Sequence, residues 1–285
     1  MRYFERPPHP ALAAHVECLW ALDDVTGDLG PAPSRIFPDG CVELIVHAGA
    51  RPRWDSGRDG WREQPGAFVV GQLSSPLALR TSPGLSVRAV RFRPAGASAF
   101  LGAAIDAFAD RVTPLDALWG DSAAGAIAEA LGEAGGGEAL AVLERALLRR
   151  LDLRHDSLDA TRAGVALLLE RRGAVRIEEV ARSLGWSERR LERRFAREVG
   201  CSPRQLARTV RFQHLLLTLQ GAGDGDWAGL AWDCGFADQA HLIREFRRFT
   251  GATPTRLRED ALDLARRFVA PDRLRAYFRA PDTAR

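Results

Sequence analysis

A chain of 285 residues that is 46 % hydrophobic and 27 % charged can bury a sizeable core and has room for two domains, which excludes a disordered or fibrous protein. A net charge of +3 and a sequence pI near 8.9 suit a molecule that keeps positive charge on one face, and argue against a non-specific polycation. All 40 basic residues are arginine, which reads as coding bias. No apolar run approaches the roughly 18 residues of a membrane span, and Met1 to Pro8 lack the apolar core of a signal peptide, so no membrane partner and a cytoplasmic location are expected. Cys18, Cys41, Cys201 and Cys234 show no C-x-x-C spacing and are expected as free thiols.

From Val16 to about Pro94, short apolar or alternating runs at 18–22, 41–48, 67–72, 77–81 and 86–93 are separated by Gly, Pro, Asp and Ser, the pattern of a compact β domain. Cys41, Glu43, Ile45 and His47 alternate to one face of a strand, and Val42, Leu44 and Val46 to the other. That polar set either lines a pocket or faces water, and Trp20, Trp54, Trp61 and Trp119 either stack on a ligand or fill a core. Pro38-Asp39-Gly40 reads first as a turn. The candidate effector-binding residues are Trp20, Arg35, Cys41, Glu43 and His47. His9, His15 and His47 lack the spacing of a metal site, so neither a metal nor another cofactor is expected. After Pro94 the pattern turns helical, with helices predicted over 95–101, 114–119, 121–134 and 138–151 and Gly135-Gly136-Gly137 as a breaker.

The next part of the chain repeats itself once. The first copy runs Val180-Ala181, Leu184-Gly185-Trp186, Ser187, Leu191, Arg193, Phe195, Gly200 and Ser202-Pro203; the second runs Leu230-Ala231, Cys234-Gly235-Phe236, Asp238, Leu242, Arg244, Phe246, Gly251 and Thr253-Pro254. The offset is 50 residues through Gly185 and Gly235 and 51 from Ser187 and Asp238 onward, so the second copy has gained one residue in its turn. Ile177, Val180, Ala181 and Leu184 fall at i, i+3, i+4 and i+7, as do Trp227, Leu230, Ala231 and Cys234, giving each first helix one apolar stripe. Gly185 and Gly235 stand where a helix stops, and Ser187 and Asp238 can cap the next one. Two short helices around a glycine make a helix-turn-helix, whose second helix enters the major groove. Arginine can pair with guanine and glutamine with adenine, so Arg189, Arg193, Gln239 and Arg244 carry base-reading chemistry, while Glu192 can accept from a cytosine amine. Arg190, Arg194, Arg197, Arg204, Arg208, Arg211 and Arg247 are candidates to neutralise phosphates.

The region from about Asp159 to Asp260 resembles the DNA-binding domain of the AraC/XylS family of bacterial transcription regulators, most closely in Gly235-Phe236 through Arg244-Glu245-Phe246 and the closing Gly251-Ala252-Thr253-Pro254. The resemblance implies that 203–219 is a helix joining two units, and that bases are read by Arg189, Glu192 and Arg193 in the first and by Gln239, Ala240, Ile243 and Arg244 in the second. It departs from the family at Leu206 and Leu257, where an aromatic is frequent. Arg35-Ile36-Phe37-Pro38-Asp39-Gly40-Cys41 and Arg91-Phe92-Arg93-Pro94 resemble a subgroup whose N-terminal domain has no defined ligand. The implied fold is α+β: a β-rich, cupin-like sensing domain over 1–153, an all-α double helix-turn-helix over 154–260 and a C-terminal extension over 261–285. The expected function is a sequence-specific transcription regulator, not an enzyme, with double-stranded DNA, a small-molecule effector and RNA polymerase as partners; monomer and homodimer both stay open. A DNA-repair alkyl transferase fused to the same reader, and a non-specific architectural DNA binder, are the alternatives.

Overall fold

The computed structural model describes residues 1–30, 32–55, 60–133, 136–151, 158–219 and 227–254. Ten strands come first: β1 (Arg2–Arg6), β2 (Val16–Asp24), β3 (Ser34–Ile36), β4 (Val42–His47), β5 (Arg53–Asp55), β6 (Trp61–Glu63), β7 (Ala67–Val70), β8 (Leu77–Arg80), β9 (Leu85–Phe92) and β10 (Val112–Pro114). They pair antiparallel in two sheets, a six-stranded one in the order β1-β2-β9-β4-β7-β10 and a four-stranded one in the order β3-β8-β5-β6. Helices α1 (Ser98–Leu101), α2 (Asp116–Trp119), α3 (Asp121–Glu133) and α4 (Gly136–Arg150) accompany them.

Alternation decides the layering. Leu19, Ala21, Leu44, Val46, Val69, Val90 and Phe92 point from the six-stranded sheet into one core, with Phe100, Ile105, Leu115, Leu140 and Leu143 from the helical side. Their alternates, Trp20, Leu22, Ile45, Val87 and Ala89, form a second apolar layer on the opposite face. The helix expected over 95–101 is cut to Ser98–Leu101, because Ala95 has a φ of +70° that an α-helix does not admit. The helix expected from 114 begins instead at Asp116, since Val112–Pro114 pair with β7. The glycine breaker is also corrected in part: Gly136 and Gly137 open α4, in a first turn whose amides lack helical partners anyway, while Ala134 and Gly135 lie outside the described residues.

Six further helices follow: α5 (Leu158–Glu170), α6 (Ile177–Ser183), α7 (Glu188–Val199), α8 (Pro203–Leu219), α9 (Trp227–Asp233) and α10 (Gln239–Thr250). Each predicted helix-turn-helix has its own core. Val165, Leu168, Val180, Leu191, Phe195 and Val210 make the first; Phe212, Leu215, Leu216, Leu242, Phe246 and Phe249 make the second. Residues of the β half complete both, because Cys41 and Ala95 join the first and Phe37 the second. The expected boundary at 153/154 and the extension 261–285 lie outside the described residues.

Gly200 ends α7 at a φ of +92°, and a Cβ built there would lie 2.7 Å from Cγ2 of Ile105. Gly200→Ala should therefore destabilise the protein by about 1–3 kcal/mol, read as a lower urea midpoint with unchanged slope. An unchanged midpoint would show that the backbone relaxes there at no cost.

Candidate nucleic-acid interface and adjoining cavity

Both second helices of the repeat are built alike. Gly185 and Gly235 have φ of +64° and +71° and end the first helices. Ser187 accepts a hydrogen bond from the Arg190 amide at 3.3 Å, and Asp238 from the His241 amide at 2.6 Å, so each new helix starts with a side-chain cap. The residue gained in the second turn is accommodated by its own amide: Ala237 N donates to His241 Nδ1 at 3.2 Å. Leu191, Phe195 and Val199 then hold α7 inward, and Leu242, Phe246 and Phe249 hold α10.

That packing leaves Arg189, Arg193 and Arg197 exposed on α7, with Glu192 half-buried, and Gln239, Ala240, Arg244 and Arg247 exposed on α10. Ile243 is half-buried and packs against the second core. Arg190 is exposed and lies over the Trp186 ring at 4.8 Å; Arg194 is half-buried, pairs with Glu198 at 2.9 Å and approaches the same ring at 6.0 Å. Arg204 is exposed.

Arg208 and Arg211, expected as phosphate contacts, are half-buried and have partners within the protein. Helix α8 is buried through Thr209, Val210, Phe212, Gln213, His214, Leu215 and Leu216, so its arginines turn towards the neighbouring helices. Arg208 donates from Nε and Nη2 to the two oxygens of Glu245 on α10, at 2.7 and 2.6 Å. Arg211 donates to the Gly173 carbonyl at 2.7 Å and lies over the Phe236 ring at 5.6 Å. With Arg176 and Arg204 they line a cleft between the two units. Burial alone would raise the Glu245 carboxyl, but the hydrogen bonds and charge of Arg208, with smaller contributions from His241 and Arg248, together lower it.

A cavity with about 1150 Å³ of empty space, counting its open mouth, lies against the second face of the six-stranded sheet and is also lined by Leu77 and Leu79 of the four-stranded sheet. Trp20, Arg35, Cys41, Glu43 and His47 all line it. The sequence reading missed Arg91, which enters the wall from β9 and pairs with Asp39 at 2.8 Å and with Glu43 at 2.7 Å. Its signal was a charge on the face of β9 that otherwise carries Leu85, Val87 and Ala89. Burial would lower the Arg91 guanidinium, yet Asp39 and Glu43 reverse this and raise it. Asp39 is more than a turn residue, since it accepts from the Cys41 amide at 2.9 Å while holding Arg91.

The segment from Arg35 to Cys41 faces both ways. Arg35, Ile36, Phe37, Asp39 and Cys41 line the cavity. On its other side Arg35 donates to the Thr250 carbonyl at the end of α10 at 2.9 Å, and the Pro38 carbonyl accepts from Gln213 of α8 at 2.6 Å. Phe37 meets Phe212 edge-on at 6.2 Å, and Phe212 stacks on Phe249 of α10 at 4.7 Å.

With this geometry in place, similarity to known proteins divides along the chain. Residues 180–260 match the family model described as a helix-turn-helix domain, and residues 4–114 match one described as Domain of unknown function (DUF6597). An uncharacterized HTH-type transcriptional regulator of Staphylococcus aureus strain MRSA252 is 32 % identical over 84 residues, covering 30 % of this chain and 11 % of the relative. One from strain MSSA476 is 31 % identical over 84 residues, with the same coverage. The chain thus spans only 11 % of the length of these curated relatives. Among solved structures, ToxT from Vibrio cholerae aligns with 82 % of this chain and 97 % of its own at 13 % identity and a TM-score of 0.42. ToxT bound to an unsaturated fatty acid aligns with 84 % and 92 %, at 11 % identity and a TM-score of 0.40. The likeness to helix-turn-helix domains thus falls on the repeat, and the likeness to the second family on the β half before it. Among the described residues no helix is long and apolar enough to cross a membrane.

The Arg208–Glu245 pair yields a pH-dependent expectation. Because the folded carboxyl is depressed, its stabilising contribution is present above the unfolded value and is lost as pH falls through the folded one. Arg208→Met should cost about 1.5–3 kcal/mol at pH 7, the scale of hydrogen bonds to a charged group. In urea unfolding the deficit should shrink towards about pH 3, where carboxylates protonate. A deficit independent of pH would assign the loss to packing.

Proposed function

We propose that this protein is a sequence-specific, DNA-binding transcription regulator, in which α7 and α10 read two major-groove segments and the cavity takes a small-molecule effector. The observation that carries the reading is the equivalent exposure of Arg193 and Arg244 on two capped helices joined by one buried helix. Each guanidinium can make two parallel hydrogen bonds to a guanine. Responsiveness is supported by the Arg35 to Cys41 segment, which is at once cavity wall and contact surface for α8 and α10. On this reading residues 1–153 sense and 154–260 bind DNA, the protein is no enzyme and works in the cytoplasm, and RNA polymerase is a further partner.

Repair by alkyl transfer is disfavoured by the thiols. Burial pushes Cys201 up to about 12 and raises Cys41 well above the ordinary thiol value, aided there by Asp39 and Glu17, whereas a nucleophile needs a lowered one.

The test uses DNA selected by the full chain from a random-sequence pool, compared with unselected DNA at fixed salt. Arg193→Ala should relax preference in one half of the selected site and Arg244→Ala in the other, each by roughly 1–3 kcal/mol, with the halves about one helical turn apart. Arg197→Ala or Arg247→Ala should weaken all sequences alike and lower the salt slope by about 1. Equal losses on selected and random DNA for Arg193→Ala and Arg244→Ala would leave the architectural binder as the better reading.

A further inference from the structure

We infer that the open cleft between the two helix-turn-helix units holds a phosphodiester of the DNA backbone, on the stretch between the two groove segments, with Arg176 and Arg204 as its cations. This rests on the reading of α7 and α10 as the helices that enter the grooves, and adds the site that grips the backbone between them.

The cleft has about 730 Å³ of empty space, counting its open mouth, and its walls come from both units. Arg176 and Glu178 stand at the start of α6 in the first unit, and His241 in the first turn of α10 in the second. Between them Arg204, Arg208 and Arg211 line it from α8, where spacings of four and three residues put them on one face. Four arginines and one carboxylate in the wall make it strongly positive.

Two of these cations are already engaged within the protein. Arg208 is bonded to Glu245 on α10, and Arg211 to the Gly173 carbonyl. Arg176 and Arg204 are exposed and make no ion pair among the described residues. Arg211 reports the crowding of charge, since burial lowers its guanidinium from the ordinary value and Arg208 adds to this against the opposing pull of Glu245. Like charges gathered in one place repel, so an anion that enters is attracted by all of them at once. A guanidinium also matches a phosphate geometrically, with two parallel hydrogen bonds.

Position decides which anion. An occupant of the cleft meets the first unit at Arg176 and the second at the first turn of α10, where Gln239 and Ala240 are exposed for reading. Two readers one helical turn apart place the intervening minor groove, with the phosphates along its edges, against the protein between them. A duplex held by both helices therefore presents a phosphodiester to the cleft at high effective concentration, whereas a free anion has only charges that salt screens to hold it. The contact carries no sequence information, yet it sets the register of one groove segment against the other.

The experiment uses the full chain and the DNA it selects from a random pool, with single methylphosphonates, each removing one backbone charge, scanned through the stretch between the two halves of the site. The expected result is one position, or two adjacent ones, at which the neutral linkage weakens binding by at least about threefold. In Arg176→Ala and Arg204→Ala that sensitivity should disappear, the salt slope should fall by about 1, and the loss should be equal on selected and random DNA. In Arg197→Ala, whose arginine lies on α7 outside the cleft, the sensitivity should persist. Both cleft arginines are exposed, so the variants fold, which an unchanged urea midpoint verifies. The inference is overturned if no position between the halves is sensitive, or if either cleft variant keeps the wild-type pattern. It is also overturned if inorganic phosphate, titrated against chloride at constant ionic strength, competes with DNA only when Arg204 is present while no methylphosphonate matters, since the cleft then takes a free anion. The two readings fail separately. A pool that yields no preferred sequence removes base reading by α7 and α10, and the cleft is then judged on random DNA, where both variants must still lower the salt slope. A well-defined selected site whose methylphosphonate pattern the variants leave unchanged removes the cleft site and keeps the readers.

Discussion

Burial of α8 on several sides is the constraint on which the rest of the structure depends. A helix of 17 residues spans about 25 Å, and this one contributes Leu206, Ala207 and Val210 to the first core and Phe212, Leu215 and Leu216 to the second. Because one rigid rod belongs to both cores, α7 and α10 cannot be placed independently. Arg208 and Arg211 strengthen the arrangement by tying the rod to α10 and to the turn at Gly173. Arginines of the helical half thus divide into outward groups and internal ties, and only burial distinguishes them.

The same rod meets the β half through a segment whose two sides have different owners. Gln213 is almost wholly buried and donates to the Pro38 carbonyl, so separating the halves would strand both groups. Phe37 continues the ring stack of Phe212 and Phe249 into the β half. Two residues after Phe37, Asp39 is committed to Arg91 inside the cavity. A change in the ion cluster that moved Asp39 would therefore act on α8 through a chain of packed and bonded groups rather than through a flexible linker.

The cavity follows from sheet geometry. The six-stranded sheet buries both faces, one under helices and one towards the four-stranded sheet, whose short strands β3, β5 and β6 have three residues each. Short strands bring few side chains to the interface, so the gap between the sheets is lined but not filled, and the longer strands β2, β4 and β9 bring Trp20, Glu43, His47 and Arg91 to its wall.

Local chemistry was sufficient where the signal was periodic or punctuated. The repeat, the stripes of α6 and α9, the glycines at 185 and 235, the caps at Ser187 and Asp238 and the whole span of α8 were legible, because each depends on residues within one or two turns of one another. The face of β4 that carries Cys41, Glu43, Ile45 and His47 was legible as a face, since the period of a strand is set by its own backbone. What covers that face was not: a pleat tells which side chains go together and nothing about the sheet that packs on them. The three-residue strands carried no period to detect, Arg91 looked like any basic residue until Asp39 and Glu43 closed on it, and Arg208 looked like a phosphate contact until Glu245, 37 positions later, was placed against it. Sequence by itself determined the helices of the repeat, their caps and which side chains share each outer face, because those rest on near neighbours. Tertiary structure alone decided which charges are exposed, which are paired and where the empty space lies, because those depend on partners that only folding brings together.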